Sequence, residues 1–554
     1  MEKIWLKTYP PGVPETIDPD PYPSITSLLS ESFERYADHS AFKNFGHSVT
    51  YRTLWEKSTQ LAAYFQNDLK LTKGDRLAIM LPNILQYPIT LLAALQAGLT
   101  VVNINPLYTE RELLFPLKDS GAKGIVVLAN FASTLSQVLT KTDLKHVIVT
   151  EVGDELPWSK RTLINYYLKY IKRHVKPAKI DQKINYRDAM AKGKDLTLIP
   201  LNIKPDDLAF LQYTGGTTGI PKGSMLTHRN MVANILQSIT WISGFLEKGK
   251  EVAVAALPLY HIFSLTICCF AFLQLGAEGL LITNPRDING LIKDLVQNHF
   301  TVFVGVNTLY QALLFNSKLK TVDFNQMKLA LAGGMSVIHK VADRWQKATG
   351  KPIIMGYGLT EASPVVSINP LSVKEFTGSI GLPVPSTDIA ILDEQGNEVP
   401  IGGEGELCVK GPQVMAGYWH QPEETALVLN ESGWLRTGDL ASMDEKGYIY
   451  LIDRKKDMIL VSGFNVYPNE VEDVIASHPG VAEVAVVGVY NDISGEMVKA
   501  FIVKKDPNLT KQEIKQFCKQ RLTGYKRPRI IEFRADLPKS NVGKVLRKDL
   551  RETN

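Results

Sequence analysis

The sequence predicts an α/β protein: a large, multi-subdomain N-terminal body followed by a small α+β C-terminal domain. Three observations carry this. Strand-like apolar runs alternate with helix-periodic segments through most of the first 450 residues, the pattern of βαβ units whose parallel strands are covered by helices. After Asp453 the grain changes to short strands and amphipathic helices, over a length of about a hundred residues that is near the usual domain size. The chain has 554 residues, 45% hydrophobic and 21% charged, enough to bury several cores and unlike collagen, a disordered chain or a disulfide framework.

In order along the chain, LAIMLP (77–82) reads as a strand and ITLLAALQAG (89–98) as its helix, followed by the pairs TVVNIN (100–105) with ERELLFPLKDSG (110–121) and GIVVLA (124–129) with ASTLSQVL (132–139). TVFVGV (301–306) and PIIMGYG (352–358) continue the strand series. Val252 to Ala277 carries no Asp, Glu, Lys or Arg, yet Pro258 and His261 split it, so it reads as strand, loop and buried helix rather than a membrane span. Past 453, VAEVAVVGV (481–489) and MVKAFIVK (497–504) read as strands, and NEVEDVIASH (469–478) and KQEIKQFCKQRL (511–522) as helices. The expected domains are 1–453 and 454–554.

Two segments bear on setting. Residues 160–179 (KRTLINYYLKYIKRHVKPAK) hold seven Lys/Arg and no acid, with Leu163, Tyr166, Tyr167, Tyr170 and Ile171 at helical spacing. Such a helix either lies on an anionic bilayer or packs its apolar stripe on the body. The net charge of +5 is modest and no recognition motif accompanies this run, so no nucleic-acid partner is expected. The four cysteines (Cys268, Cys269, Cys408, Cys518) form neither a disulfide pattern nor a CxxC pair, and the start lacks an apolar signal run, which together point to the cytoplasm.

The strongest local chemical signal is LAFLQYTGGTTGIPKGSMLTHRNMVANI (208–235), read as a strand ending near Tyr213, a loop of small and hydroxyl residues, Lys222, then a helix. Glycines at 215, 216, 219 and 223 let backbone N–H groups approach a polyphosphate; Thr214, Thr217 and Thr218 add donors and Lys222 adds charge. It is not a Walker A loop, because Pro221 rather than Gly precedes Lys222.

YTGGTTGIPKG (213–223), PLYH (258–261), GYGLTEASP (356–364), GWLRTGDL (433–440), DRKKDMILVSGFNVYPNEVE (453–472) and PKSNVGKVLRK (538–548) resemble, in order, the core motifs of acyl-adenylate-forming enzymes. NPLYTEREL (105–113) and LAGGMSV (331–337) extend the resemblance over nearly the whole chain, which is most similar to bacterial long-chain fatty acyl-CoA ligases. The resemblance implies activation of a fatty acid with ATP to acyl-AMP and pyrophosphate, then transfer to CoA, with ATP, Mg²⁺ and CoA as cofactor and co-substrates and a long-chain fatty acid as partner. Medium-chain or aryl acyl-CoA ligases and a fatty acyl-AMP ligase loading a carrier protein remain as alternatives. From another class, so does a non-catalytic membrane-associated fatty-acid- or nucleotide-binding protein.

Carried over residue by residue, the resemblance implies that Tyr213, Thr214, Gly215, Gly216, Thr217, Thr218, Gly219 and Lys222 hold the β- and γ-phosphates. It places Thr360 at the α-phosphate and Glu361 on magnesium, a hard carboxylate for a hard ion. Tyr357 is expected to stack on adenine, Gly333 and Gly334 to let the base approach, Asp439 to accept from the ribose hydroxyls and Arg454 to contact ribose or phosphate. Lys544 is the expected catalytic cation on substrate carboxylate and α-phosphate, and Lys456 the hinge about which the small domain rotates between half-reactions. His261, Phe263 and Val306 are candidates for the acyl pocket, His261 equally a packed histidine, and Gly463 for backbone room beside the pantetheine arm of CoA. Peripheral contact with the inner face of a membrane suits a substrate that partitions into bilayers.

Overall fold

The computed structural model describes residues 2–214, 221–462, 464–491, 495–540 and 543–551. The alternating N-terminal pattern folds into two large sheets. The seven-stranded one runs Ile184–Asn185, His146–Thr150, Gly124–Leu128, Arg76–Met80, Thr100–Asn103, Leu208–Thr214 and Lys222–Thr227, and only the last pairing is antiparallel. The nine-stranded sheet has a parallel centre (Ile353–Gly358, Leu329–Ala332, Val302–Gly305, Val252–Ala255, Glu278–Leu281, Ser40–Asn44) with antiparallel edges. Helices cover the strands as the βαβ pattern requires; Gln86–Gln96 is buried throughout, and Glu110–Ser120 begins with a capping box between Thr109 and Glu112.

A four-stranded antiparallel sheet (Asp388–Leu392, Gly405–Lys410, Leu435–Met443, Ile449–Arg454) closes the large domain. The small C-terminal domain has its own five-stranded sheet, built on the long pairing of Val481–Asn491 with Gly495–Lys504. Its helices Pro468–Ala476 and Lys511–Lys519 bury Val471, Ile475, Ile514 and Cys518. The main apolar cluster of the large domain ends at Ile449, and the next begins at Ile459 within the small one.

Val252 to Ala277 folds as read: a strand, a loop, and a buried helical run from Ile262 to Leu275 that contains an i→i+5 segment over Leu265–Ala271 and stops at left-handed Gly276. No helix among the described residues is long and apolar enough to cross a membrane. Two local readings change. Lys222 does not lead straight into a helix. It opens the strand Lys222–Thr227, which pairs with Leu208–Thr214 and so keeps its backbone groups bonded, and the helix His228–Ile242 follows. In 160–179 the side chains on the body are Ile164 and Leu168, one helical turn apart, whereas Leu163, Tyr166, Tyr167, Tyr170 and Ile171 face outward.

Candidate active site

The strand Ile353–Gly358 delivers Tyr357 and, through a single turn over Thr360–Ala362, Thr360 and Glu361. Tyr357 is buried and its hydroxyl donates to Asp439 Oδ2 at 2.6 Å. Burial first, and then the Asp439 charge, push the phenol well above its usual range, so it stays a donor. Asp439 and Arg454 are direct cross-strand partners, which explains their ion pair, Nε to Oδ1 3.3 Å. Asp439, itself buried, is therefore held by one neutral and one cationic donor, one on each oxygen.

Glu361 is oriented from the other side. Its Oε1 accepts from the Tyr418 hydroxyl at 2.7 Å, and its backbone carbonyl accepts from Met415 N at 2.8 Å. Lys222 Nζ lies 4.9 Å from the Tyr418 ring centroid and pairs with Glu424. Lys222 and Glu361 are thus bridged by one tyrosine. Tyr418 and Glu424 were not read from the sequence as site residues: GYWHQPEETA (417–426) carries only a helix-start signal, Pro422 with Glu423 and Glu424, and it opens the helix Pro422–Val428.

Tyr213 and Thr214 belong to a strand rather than a loop. The Tyr213 ring is buried against Phe115 and its hydroxyl donates to Asp119 Oδ2 at 2.6 Å, so its side chain is occupied by packing. Thr214 pairs in register with Lys222, which sets the two ends of the turn opposite each other. Gly215, Gly216, Thr217, Thr218 and Gly219 lie outside the described residues, as does Gly463.

Beside Phe263, a Cβ on Gly333 would meet the Phe263 ring at 3.1 Å and Gly356 O at 3.2 Å; Gly334, at φ +76°, has open space above it. The glycine expected at the base is therefore in contact with an expected acyl-pocket residue. His261 caps the helical run through Nδ1, which accepts from Phe263 N at 3.4 Å. Burial, and then the Lys544 charge, lower His261 to about 4, leaving it neutral near pH 7. Val306 is buried at the start of the helix Asn307–Phe315.

Lys544 reaches this cluster from the small domain. Its loop is cinched by Ser540 N to Lys544 O at 2.6 Å and Lys544 N to Ser540 Oγ at 3.1 Å. Next to it, a Cβ on Gly543 would stand 2.4 Å from Thr308 Oγ1 and 3.7 Å from Val306 Cγ2, so only glycine lets the loop settle on that helix start. Burial lowers Lys544 to about 8, with Arg454 and Arg547 adding to the effect and Asp439 opposing it.

Arg547, three residues on, was also missed. Its guanidinium bonds Glu472 at 2.8 Å, Asn469 at 2.7 Å, and Asp453 and Asp457 at 3.3 Å each. These partners flank the turn that contains Lys456, which is itself exposed between the strands Ile449–Arg454 and Ile459–Val461. The structure thus brings together Tyr357, Asp439, Arg454, Lys544 and His261, and separately Lys222 with Glu361. One turn from Tyr357 to Glu361 joins the two groups.

This geometry offers cations around two acceptor carboxylates at the junction of two domains, an arrangement suited to a polyanion. A family model described as AMP-binding enzyme matches residues 29–419, and one described as AMP-binding enzyme C-terminal domain matches 470–544. A long-chain-fatty-acid–CoA ligase of Escherichia coli O6:H1 is 54% identical over 552 residues, covering 100% of this chain and 98% of that protein. The one of Bacillus subtilis is 39% identical, with the same coverage. The crystal structure of ATP-bound MatB from Rhodopseudomonas palustris superposes with a TM-score of 0.82 at 28% identity, covering 96% of this chain and 99% of that one.

Proposed function

This chain belongs to the AMP-binding enzymes, and from that premise we infer that it is a long-chain-fatty-acid–CoA ligase. It activates a fatty acid with ATP to acyl-AMP and pyrophosphate, then transfers the acyl group to CoA, releasing AMP. The observation that carries this reading is the 54% identity to a ligase of that name along the whole chain. The test is AMP release by the purified protein with ATP, Mg²⁺ and acids from acetate through coumarate to palmitate, each with and without CoA. CoA-dependent turnover rising with chain length is expected; adenylate formation without CoA-dependent turnover would move the assignment to carrier loading.

The roles of individual residues follow from charge. A carboxylate attacking the α-phosphorus brings two anions together, so catalysis is neutralisation and positioning. In this reading Lys544 contacts the substrate carboxylate and α-phosphate as the P–O bond to pyrophosphate breaks, and Thr360 donates to the α-phosphate. Lys222 exchanges Glu424 for the terminal phosphates, which residues 215–219 also bind. Tyr357 stacks on adenine over Gly333 and Gly334, Asp439 accepts from the ribose hydroxyls, and Arg454 holds Asp439 and the ribose side. His261, Phe263 and Val306 line the channel for the acyl chain, where each buried methylene adds about 0.8 kcal/mol.

Mg²⁺ supplies charge neutralisation between phosphate oxygens when bound. Glu361 fits that role: its carboxylate is aimed by Tyr418 and sits with the phosphate-side lysine. Among the described residues no three His, Cys, Asp or Glu side chains converge on one point, so phosphate and water oxygens would complete the shell.

For the second step the domain 454–554 turns against 1–453 about Lys456, withdrawing Lys544 and presenting the segment around Gly463 to CoA. The break between apolar clusters at Ile449 and Ile459 supports a boundary there. The setting is cytoplasmic with peripheral contact on the inner face of a membrane. Trp158 is 73% exposed, Leu163 69% and Ile171 61%, with Lys169 and Lys172 over the rings of Tyr170 and Tyr167, a combination suited to an anionic lipid surface. Flotation with anionic vesicles tests it: a variant with the Lys/Arg of 160–179 changed to Gln should stay at the bottom of the gradient, and equal flotation would exclude this segment.

A further inference from the structure

Away from the adenylate site, the two domains meet over a small solvent-connected crevice, between the large domain's helices Asn307–Phe315 and His339–Thr349 and residues 476–482 and 505 of the small one. Its lining includes Lys340, Arg344 and Lys505 and no acidic residue. Phe315 receives two of these cations on its ring, the Arg344 guanidinium 5.0 Å and Lys505 Nζ 5.5 Å from the centroid, so charges from both domains gather at one aromatic side chain. Other partners are neutral carbonyls: Lys340 Nζ donates to Ser477 O at 3.2 Å and Arg344 to Leu314 O at 3.3 Å. Burial, then the Lys505 and Arg344 charges, hold Lys340 below the usual lysine range. Three like charges drawn together across a domain boundary repel unless a counter-charge enters between them.

We propose that this crevice is an oxyanion site for free phosphate, and that its occupant ties the small domain to the large one in the arrangement that places Lys544 at the active site. Arg344 supplies a planar fork and the two lysines supply point charges, a donor set suited to phosphate oxygens. Filled, the site clamps Lys340 and Arg344 to Lys505; empty, their repulsion favours departure of the small domain. The consequence for the reaction, slower use of acyl-AMP when phosphate is bound, rests on the two-step function proposed above; the binding does not.

The experiment measures equilibrium binding of radiolabelled inorganic phosphate with the adenylate site filled by a non-hydrolysable acyl-AMP analogue and ionic strength fixed with sodium chloride. We expect saturable binding to the wild type, weakened about tenfold or more in Lys340→Gln and in Lys505→Gln, the loss of one charge-assisted contact each. Adenosine 3′,5′-bisphosphate is the second arm: binding of inorganic phosphate alone assigns the site to the free anion, and tighter binding of the bisphosphate that is lost in the same variants assigns it to CoA and overturns the clamp, because CoA reacts only after Lys544 has withdrawn. Absence of saturable binding of either probe, or affinity unchanged in whichever variant folds, overturns the site. Thioester formation from supplied acyl-AMP should then slow with phosphate in the wild type and not in the variants; binding without that slowing overturns the clamp and leaves the function proposed above untouched.

Discussion

Tyr357 and Asp439 lie 82 residues apart in sequence and meet in a 2.6 Å hydrogen bond that fixes one oxygen of the carboxylate while Arg454, its cross-strand partner, fixes the other. Asp439→Asn removes the charge both donors address, and the KM for ATP should rise roughly 10- to 100-fold, as for a lost charged hydrogen bond. Tyr357→Phe keeps the ring and loses only the donor, so its effect should stay within about tenfold. Steady-state kinetics on the two variants check the ordering.

Glu424 forms an ion pair with Lys222. Glu424→Gln frees that cation, and the KM for ATP should fall by up to about fivefold, the ~1 kcal/mol scale of a partly exposed ion pair. Lys222→Gln should raise it. An increase in both variants would mean that Glu424 orients Lys222 for ATP instead of competing with it.

Gly333 has the Phe263 ring and the Gly356 carbonyl at the edge of its missing side chain. Gly333→Ala should lower kcat/KM for both ATP and fatty acid, because the added methyl must push the ring or the strand. Adding Phe263→Leu should recover part of the loss if the ring is what yields; titrations of both substrates on the single and double variants decide it.

Arg547 compensates buried Asp453, Asp457 and Glu472 at once. Arg547→Met leaves Asp453 and Glu472 without that cation and Asp457 with Arg551 alone, and should destabilise the small domain by about 3–5 kcal/mol, seen in urea unfolding. Adenylation should fall with it, since the Lys544 loop is anchored three residues away.

Lys544 at about 8 is half deprotonated near that pH in the free enzyme, and the reading requires the ammonium form. The kcat/KM of acyl-AMP formation should therefore fall as pH rises through about 8 and hold below it. Lys544→Arg, which keeps its proton, should be slower yet lack that alkaline limb. His261, lowered to about 4, should contribute no limb near neutrality.

What was legible in the sequence was what periodicity and local motifs encode. The βαβ alternation matched the strands Arg76–Met80, Thr100–Asn103, Gly124–Leu128, Val302–Gly305 and Ile353–Gly358, and charge-free 252–277 resolved into strand and buried helix because Pro258 and His261 divide it. The strand Lys222–Thr227 was not legible: a Gly-rich turn usually opens a helix, and only pairing with Leu208–Thr214 makes KGSMLT extended. Contacts that join distant segments were hidden for the same reason. Tyr418 meets Glu361 across 57 positions and Glu424 meets Lys222 across 202, and no local pattern marks either. The outward face of 160–179 depended on helical phase against a body that sequence does not display.

The central claim is a division of labour in which Lys544 serves only the first half-reaction. The most direct measurement is of the two half-reactions of Lys544→Ala, acyl-AMP formation from fatty acid and ATP, and thioester formation from supplied acyl-AMP and CoA, with Lys456→Pro as the converse. Lys544→Ala is expected to lose the first and retain the second, while Lys456→Pro retains the first and loses the second. Equal loss of both steps in Lys544→Ala would contradict it.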